Sequence, residues 1–371
     1  MKILFIANHL NVGGISSYLF TLGSGLKQNG HQVYLASSGG ELEDKFTQAG
    51  ITLFKVPLAT KNEISYKIFI SFWKLKKISR QLNIDLVHSH SRTTQVLGDF
   101  LGRSLAKPHI FTCHGFFRPK LLRRIFGCWG QRVIAISQQV KEHLMMDFKL
   151  AENKIRVIHN GIDTKNFGDF STRDKMRQKL GIGRQDFLVG IIARLSDVKG
   201  HTYLIQALPE VLKSNPQVKL LIIGQGKTKE ALIKEADDLG LGSSIIFIPE
   251  AKNTPELLAA MDVFVMPSLQ EGLGLALMEA MAQGVAVVGS AVGGIKTLIQ
   301  DKVNGLLVAP AEAPALAQAI ISLLGDAQLR GDLGVQARKF IIANFSQEEM
   351  VDKTEAVYQQ SFKAVINRKH K

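Results

Sequence analysis

Two carboxylates, Glu271 and Glu279, stand with seven residues between them in the stretch Pro267–Gly284, PSLQEGLGLALMEAMAQG. The apolar run Val263–Met266 before it has the length and composition of a buried strand. Gly272 and Gly274 make a turn, and from Leu275 the Leu, Met, Glu and Ala content predicts a helix that stops at Gly284. Strand, glycine loop and helix present free backbone N–H groups at the positive end of a helix dipole, a site for an anion such as a diphosphate. A carboxylate accepts two hydrogen bonds from a vicinal diol, so Glu271 in the loop and Glu279 in the helix suit a sugar or ribose beside that phosphate. The plainer account makes Glu279 a solvated helix residue. Its neighbours Leu275, Leu277, Met278, Ala280 and Met281 argue against that, because a carboxylate in an apolar helix needs a partner.

Other residues could serve the same chemistry. Arg194 and Lys199 lie in ARLSDVKG, between a predicted strand Phe187–Ile192 and a predicted helix His201–Lys213. Both can reach one anion and can stabilise charge developing on a leaving diphosphate, although a basic pair in a loop is more often simply solvated. Asn11–Ser17 carries Gly13 and Gly14 between a predicted strand Lys2–Ala7 and helix Tyr18–Lys27, which is either an anion site or a tight turn. The spaced triple-glycine pattern of a dinucleotide site is missing. His114 follows a strand end, where sites of α/β sheets gather, and so do His88 and His90. No histidine pair has the carboxylate or cysteine companions of a metal site, and no Asp-x-Asp pair ends a strand.

The elements that must position these residues alternate along the chain. Strands are predicted at His31–Ala36, Ile51–Val56, Ile84–His88, Pro108–Thr112 and Arg132–Ile136, with helices between, which reads as a parallel, doubly wound sheet. A polar linker is predicted at Gly168–Gly183. A second strand–helix series follows with Lys219–Gly226, Ile245–Ile248, Val285–Val288 and Gly305–Val308, then helices at Leu316–Leu324 and Ser346–Ile366. A length of 371 residues suits two such domains. The mean hydropathy of +0.08 is that of a globular chain, and no apolar run approaches a membrane span of ~20 residues. Cys113 and Cys128 show neither metal spacing nor a disulfide framework, consistent with a reducing cytoplasm.

Charge is uneven. Residues 1–180 carry 27 Lys and Arg against 12 Asp and Glu, so the whole basic excess of the chain sits in this half. Much of it falls in 64–82, ISYKIFISFWKLKKISRQL, and 116–132, FFRPKLLRRIFGCWGQR. Lysines and arginines interleaved with large aromatics at helical spacing suit helices lying on an anionic membrane surface. The competing account puts the aromatics in the core and the lysines in solvent. Nucleic acid is not expected, since no nucleic-acid motif accompanies these segments.

The spacing of Glu271 and Glu279, with Pro267-Ser268 before them and Gly284 and Gly293-Gly294 after, resembles the signature of glycosyltransferase family four. VIHNGIDTKNF at Val157–Phe167 is similar to the segment that closes the family's first domain. The resemblance implies a GT-B fold: two Rossmann-like doubly wound α/β domains facing across a cleft. Residues 1–170 would bind the acceptor, residues 171–345 the nucleotide sugar, and a helix over 346–366 would pack back towards the first domain. It implies a retaining transferase with His114, Glu271, Arg194 and Lys199 in the catalytic set. Arg194, Lys199 and the N–H groups of Gly272, Leu273, Gly274 and Leu275 would bind the diphosphate. Glu279 would accept the ribose hydroxyls and Glu271 those of the transferred sugar, while His114 and Gly14 would line the opposite wall. Pro249-Glu250-Ala251 stands where the family holds the nucleobase. The expected donor is a UDP-sugar, with no cofactor and no metal. The expected acceptor is a glycan or glycolipid precursor of lipopolysaccharide or polysaccharide, at the cytoplasmic face of a bacterial membrane. A GT-B nucleotide-sugar epimerase and a non-catalytic sugar-nucleotide sensor are the alternatives.

Overall fold

The computed structural model describes residues 1–60, 62–63, 65–119, 123, 127–250 and 253–369. The chain divides into two units. Unit 1 is Met1–Gly161 with the residues from Gln347 onward, and unit 2 is Ile162–Ser346.

Unit 1 is built on seven parallel strands: β1 (Lys2–Ile6), β2 (Gln32–Ser37), β3 (Thr52–Lys55), β4 (Leu86–Ser89), β5 (His109–Cys113), β6 (Arg132–Ala135) and β7 (Ile155–Val157). Their order is β3-β2-β1-β4-β5-β6-β7. In β1 the residues Ile3 and Phe5 face one core, with Leu19, Leu22 and Leu26 of helix Gly14–Gln28. Leu4 and Ile6 face another, with Leu97 and Leu101 of helix Arg92–Leu105. A parallel strand covered on both faces is why this sequence runs apolar without a break. The C-terminal helix Gln347–Lys369 joins the first of these cores through Met350, Val351, Val357 and Tyr358. It crosses helix Gly14–Gln28 closely, since a Cβ at Gly25 would collide with Val351. Gln347 Nε2 donates to the Thr21 carbonyl at 2.7 Å.

Unit 2 has six parallel strands: β8 (Phe187–Ile192), β9 (Val218–Ile223), β10 (Ile245–Ile248), β11 (Val263–Met266), β12 (Ala286–Ser290) and β13 (Leu306–Val308). They run β10-β9-β8-β11-β12-β13, with Val263 opposite Val189 in the register of β11 and β8. One core joins Val189, Ile191, Val263 and Val265 to Leu204 and Leu208 of helix His201–Ser214 and Leu316 and Ile320 of helix Ala313–Gly325. In both sheets the strand order reverses once, between β1 and β4 and between β8 and β11. These are the points where ligands bind in open α/β sheets.

Three expectations change. The units divide at Gly161/Ile162 rather than at 170/171. Ile162 donates its N–H to the Phe345 carbonyl at 3.0 Å, and Gly168 N–H reaches Gln283 Oε1 at 3.0 Å, so this segment is tied into unit 2. The expected linker Gly168–Gly183 holds a helix, Arg173–Lys179. Its Arg173 and Arg177 pair with Asp262 at 2.6 and 3.2 Å. The polar residues of this stretch therefore anchor it rather than loosen it. Finally, the first helix starts at Gly14, not Tyr18, because the glycine turn is itself the helix N-terminus, with Ser17 N–H on the Gly13 carbonyl at 3.0 Å.

Candidate active site

In unit 2 the loops after β8 and β11 lie side by side at the reversal point. The first, Ala193–Gly200, carries Arg194 and Lys199, and the second, Pro267–Gly274, carries Glu271 and the glycines. Backbone hydrogen bonds join them, with Leu269 N–H on the Val198 carbonyl at 2.9 Å. Gly200 lets the loops meet, because a Cβ there would collide with the Pro267 carbonyl. The loop after β12 is added the same way: Gly294 N–H donates to the Glu271 carbonyl at 3.0 Å, and a Cβ at Gly293 or Gly294 would strike the backbone of Glu271 or Gly272. Three adjacent loops are thus locked main chain to main chain, which fixes the side chains they carry.

The charged groups meet on this frame. Lys199 Nζ donates to Glu271 Oε2 at 2.5 Å, with both side chains largely shielded from water. A charge-assisted bond of this kind is among the stronger side-chain hydrogen bonds. Ser268 Oγ stands 3.4 Å from the same carboxylate oxygen. Helix Leu275–Gln283 starts from Gly274, which holds φ 98° and leaves the helix without a side-chain cap or an acidic first-turn residue. Its first N–H groups therefore keep their positive partial charge available to an anion. Glu279 is half-buried on this helix, among Leu277, Met278 and Met281, which are buried. Arg194 is exposed. His201, the first residue of its helix, is buried beside Lys199, and burial lowers its pKa to about 4, so the ring is neutral.

In unit 1 the reversal point gathers aromatic and imidazole rings. Tyr18, one turn into the helix that Gly14 starts, packs its ring edge-on against His114 with centroids 4.7 Å apart. His114 Nε2 lies 3.4 Å from His90 Nδ1. Burial lowers the His114 pKa to about 3 and holds His88 and His90 well below the usual imidazole range. All three are therefore neutral at pH 7. Behind them His88 uses both nitrogens, Nδ1 with the Tyr358 hydroxyl at 2.6 Å and Nε2 with Thr112 Oγ1 at 2.7 Å. Gly13 and Gly14 have open space where a Cβ would stand.

The structure thus brings Arg194, Lys199, Glu271, Gly272, Leu273, Gly274, Leu275 and Glu279 to one reversal point of unit 2, and Gly14 and His114 to that of unit 1. Sequence reasoning left His88 and His90 open. His88 is an internal brace to the C-terminal helix, and His90 is the direct partner of His114. Tyr18, Thr112 and Tyr358 went unnoticed, because nothing local marks residues that meet only through the fold. The nucleobase segment Pro249-Glu250-Ala251 lies partly outside the described residues.

Comparison with known proteins gives the family and the fold. Residues 12–166 match the family described as Glycosyltransferase Family 4, and residues 172–340 match Glycosyl transferases group 1. An uncharacterised glycosyltransferase of Methanocaldococcus jannaschii is 28% identical over 94% of each chain. The Escherichia coli UDP-Gal:alpha-D-GlcNAc-diphosphoundecaprenol alpha-1,3-galactosyltransferase is 26% identical over 87% of each. The crystal structure of Anabaena HepE with UDP and glucose superposes with a TM-score of 0.86 over 97% of this chain and 99% of that one, at 23% identity. The fold is GT-B.

Proposed function

This chain belongs to glycosyltransferase family 4, the group 1 glycosyltransferases, and we propose that it moves a sugar from a UDP-sugar to a hydroxyl of a glycolipid, lipopolysaccharide or polysaccharide precursor, retaining the anomeric configuration. The observation that carries the reading is the unit 2 reversal point. There the Lys199–Glu271 pair at 2.5 Å stands in the loops beside the uncapped N-terminus of helix Leu275–Gln283. Lys199, Arg194 and the N–H groups of Leu273–Leu275 take the diphosphate and hold the charge that develops on it, while the Gly272 N–H, expected to join them, donates to Glu271 Oε1 at 3.2 Å. Glu279 takes the ribose and Glu271 the hydroxyls of the transferred sugar. Because Lys199 neutralises it, Glu271 serves better as a hydroxyl acceptor than as a covalent nucleophile. That favours front-face attack, with the leaving phosphate receiving the acceptor's proton. His114 and Gly14 are the unit 1 residues proposed to contact the donor. The UDP and lipid-linked acceptor in the E. coli relative's name support the choice of base and acceptor class.

Thermal shifts with UDP, GDP, ADP and their sugars test the donor, with Glu279→Ala alongside. A rise with the UDP series that Glu279→Ala loses is expected. A response to GDP or ADP alone overturns the base, and a response to none overturns the donor site. Slow donor hydrolysis without acceptor separates an enzyme from a sensor. Proton NMR of the first glycoside formed reads the anomeric outcome, and inversion would sink the retaining mechanism.

A further inference from the structure

Helix Tyr66–Leu82 carries large apolar side chains on two faces, and one of them is covered: Ile68 and Leu75 are buried in a core of unit 1, with Phe72, Ile78 and Leu82 packed against it. Its inward face includes Ser71 and Ser79, both buried, with hydroxyl oxygens that find no hydrogen-bond partner. Its outward face also carries large apolar side chains. Tyr66 is 70% exposed, Phe69 66%, Ile70 48% and Trp73 55%. These four sit at i, i+3, i+4 and i+7, so they form one continuous stripe. Large aromatics grouped in water cost hydration free energy unless a partner covers them. The helix is well terminated, with Ser65 Oγ accepting from Lys67 N–H and Asn83 in the left-handed region at the C-terminus, so the stripe is rigidly presented.

Charge continues the same face. Lys74, Lys77 and Arg80 are exposed on the next turns. Lys76 Nζ stands over the rings of Phe72 and Trp73, 5.5 and 5.3 Å from their centres. Trp73 also packs edge-on against Phe69 and Phe72, at 6.1 and 5.4 Å between centroids. An apolar patch in the first two turns with cations on the following turns matches a membrane interface, where aromatics enter the acyl boundary and cations meet lipid phosphates. The other basic aromatic segment, 116–132, is described only in part. Residues 120–122 and 124–126 lie outside the described residues, and among those described Phe117 and Trp129 turn inward onto Phe111 and Phe148. Among the described residues no helix is long and apolar enough to cross a membrane.

We propose that the exposed face of helix Tyr66–Leu82 is a docking surface for an anionic lipid bilayer, with Phe69, Ile70 and Trp73 inserted at the interface and Lys77 and Arg80 on the lipid phosphates, while Lys74 Nζ donates to the Lys55 carbonyl at 2.7 Å. The proposal goes beyond the transferase reading and does not depend on which acceptor is used.

The test is co-sedimentation with vesicles of phosphatidylcholine alone and with about a third phosphatidylglycerol. Trp73 emission is followed in parallel, because the chain has two tryptophans and Trp129 is buried. Retention by the anionic vesicles only, a blue shift absent from Trp73→Phe, and weakening at high salt are expected. Phe69→Ser and Trp73→Ser should each weaken retention about tenfold. Lys77→Gln and Arg80→Gln should each weaken it about fivefold. All four variants should keep the thermal shift with UDP, which separates loss of docking from loss of fold or donor site. The proposal is overturned by three results: no retention on anionic vesicles at low salt, retention that Phe69→Ser and Trp73→Ser leave unchanged, or tighter binding of the same face to single-stranded DNA.

Discussion

Lys199 has three N–H donors, and one is taken by Glu271 at 2.5 Å. The two that remain can serve a diphosphate while the carboxylate holds the ammonium in place. Lys199→Met keeps the stem and removes the charge. It is expected to lower kcat/KM by about 10²–10³, the range found for one lost donor to developing charge, and to reduce the UDP thermal shift. An unchanged kcat/KM would remove Lys199 from the diphosphate. On unit 1 the residue of interest is His90. Its Nε2 is buried with no partner among the described residues, and its Nδ1 faces His114 Nε2 at 3.4 Å. Buried N–H groups are rarely left without an acceptor, so the proton of His90 belongs on Nδ1, pointing at His114. His114 is then held with its own proton on Nδ1, as a hydrogen-bond donor towards whatever it meets. Imidazole ¹⁵N NMR should show that tautomer in the wild type and a mixture in His90→Leu. The variant should lower kcat by up to about 10²-fold through misplacement while keeping the UDP shift. Mixed tautomers in the wild type would sink the assignment.

Two glycines give opposite expectations at the scale of elements. Gly200 holds φ +70°, and a Cβ there meets the Pro267 carbonyl. Gly200→Ala therefore forces apart the loops after β8 and β11 and is expected to cost about 3 kcal/mol, from the left-handed backbone and the overpacking together. Its thermal midpoint should fall and the UDP shift with it. Gly14 begins its helix with nothing within 4 Å of a Cβ. Gly14→Ala should raise stability by about 0.5 kcal/mol, by limiting the unfolded chain. If Gly14 is a donor contact, activity falls although the fold gains, and an alanine variant with full activity would dismiss it. This contrast also marks what the sequence could show. Parallel strands buried on both faces are apolar runs, so β1, β8, β9 and β11 could be read directly, and Glu271, the glycines and helix Leu275–Gln283 are nearly consecutive. The helix start at Gly14 was hidden because a glycine pair looks like a turn in either case. The group of Tyr18, His90 and His114 comes from three elements, and only strand order brings them together.

At the scale of the whole molecule, the polar segment 168–183 reads as a linker until Asp262, some 80 residues later, is placed against Arg173 and Arg177; long-range ion pairs leave no local trace. The distribution of histidine is a further property of the whole chain. His88, His90, His109 and His114 are all in unit 1, and burial lowers the pKa of each. Unit 2 has His201 with the same kind of shift, to about 4. In the unfolded chain these rings titrate near 6.5. Below that pH the unfolded state binds protons that the folded state refuses, so stability is fully present above about pH 6.5 and is lost as pH falls towards the depressed folded values, about 3 for His114. Each ring contributes up to ~1.4 kcal/mol per pH unit within that window. The rings of unit 1 must also take up charge in a unit that already carries 27 Lys and Arg against 13 Asp and Glu over 1–161 and 347–371. Acid should therefore act first on unit 1. Trp73 and Trp129, both in unit 1, report on it alone. The tryptophan-detected thermal midpoint should hold between pH 8 and pH 7 and fall by several degrees per pH unit between pH 6 and pH 5. His88→Gln, which retains a hydrogen-bonding side chain but cannot take a proton, should flatten that slope by the share of one ring. A midpoint that stays level down to pH 5 would mean that the four rings take up protons as readily in the fold as in the unfolded chain, and the lowered pKa values of His90 and His114 would have to be given up with them.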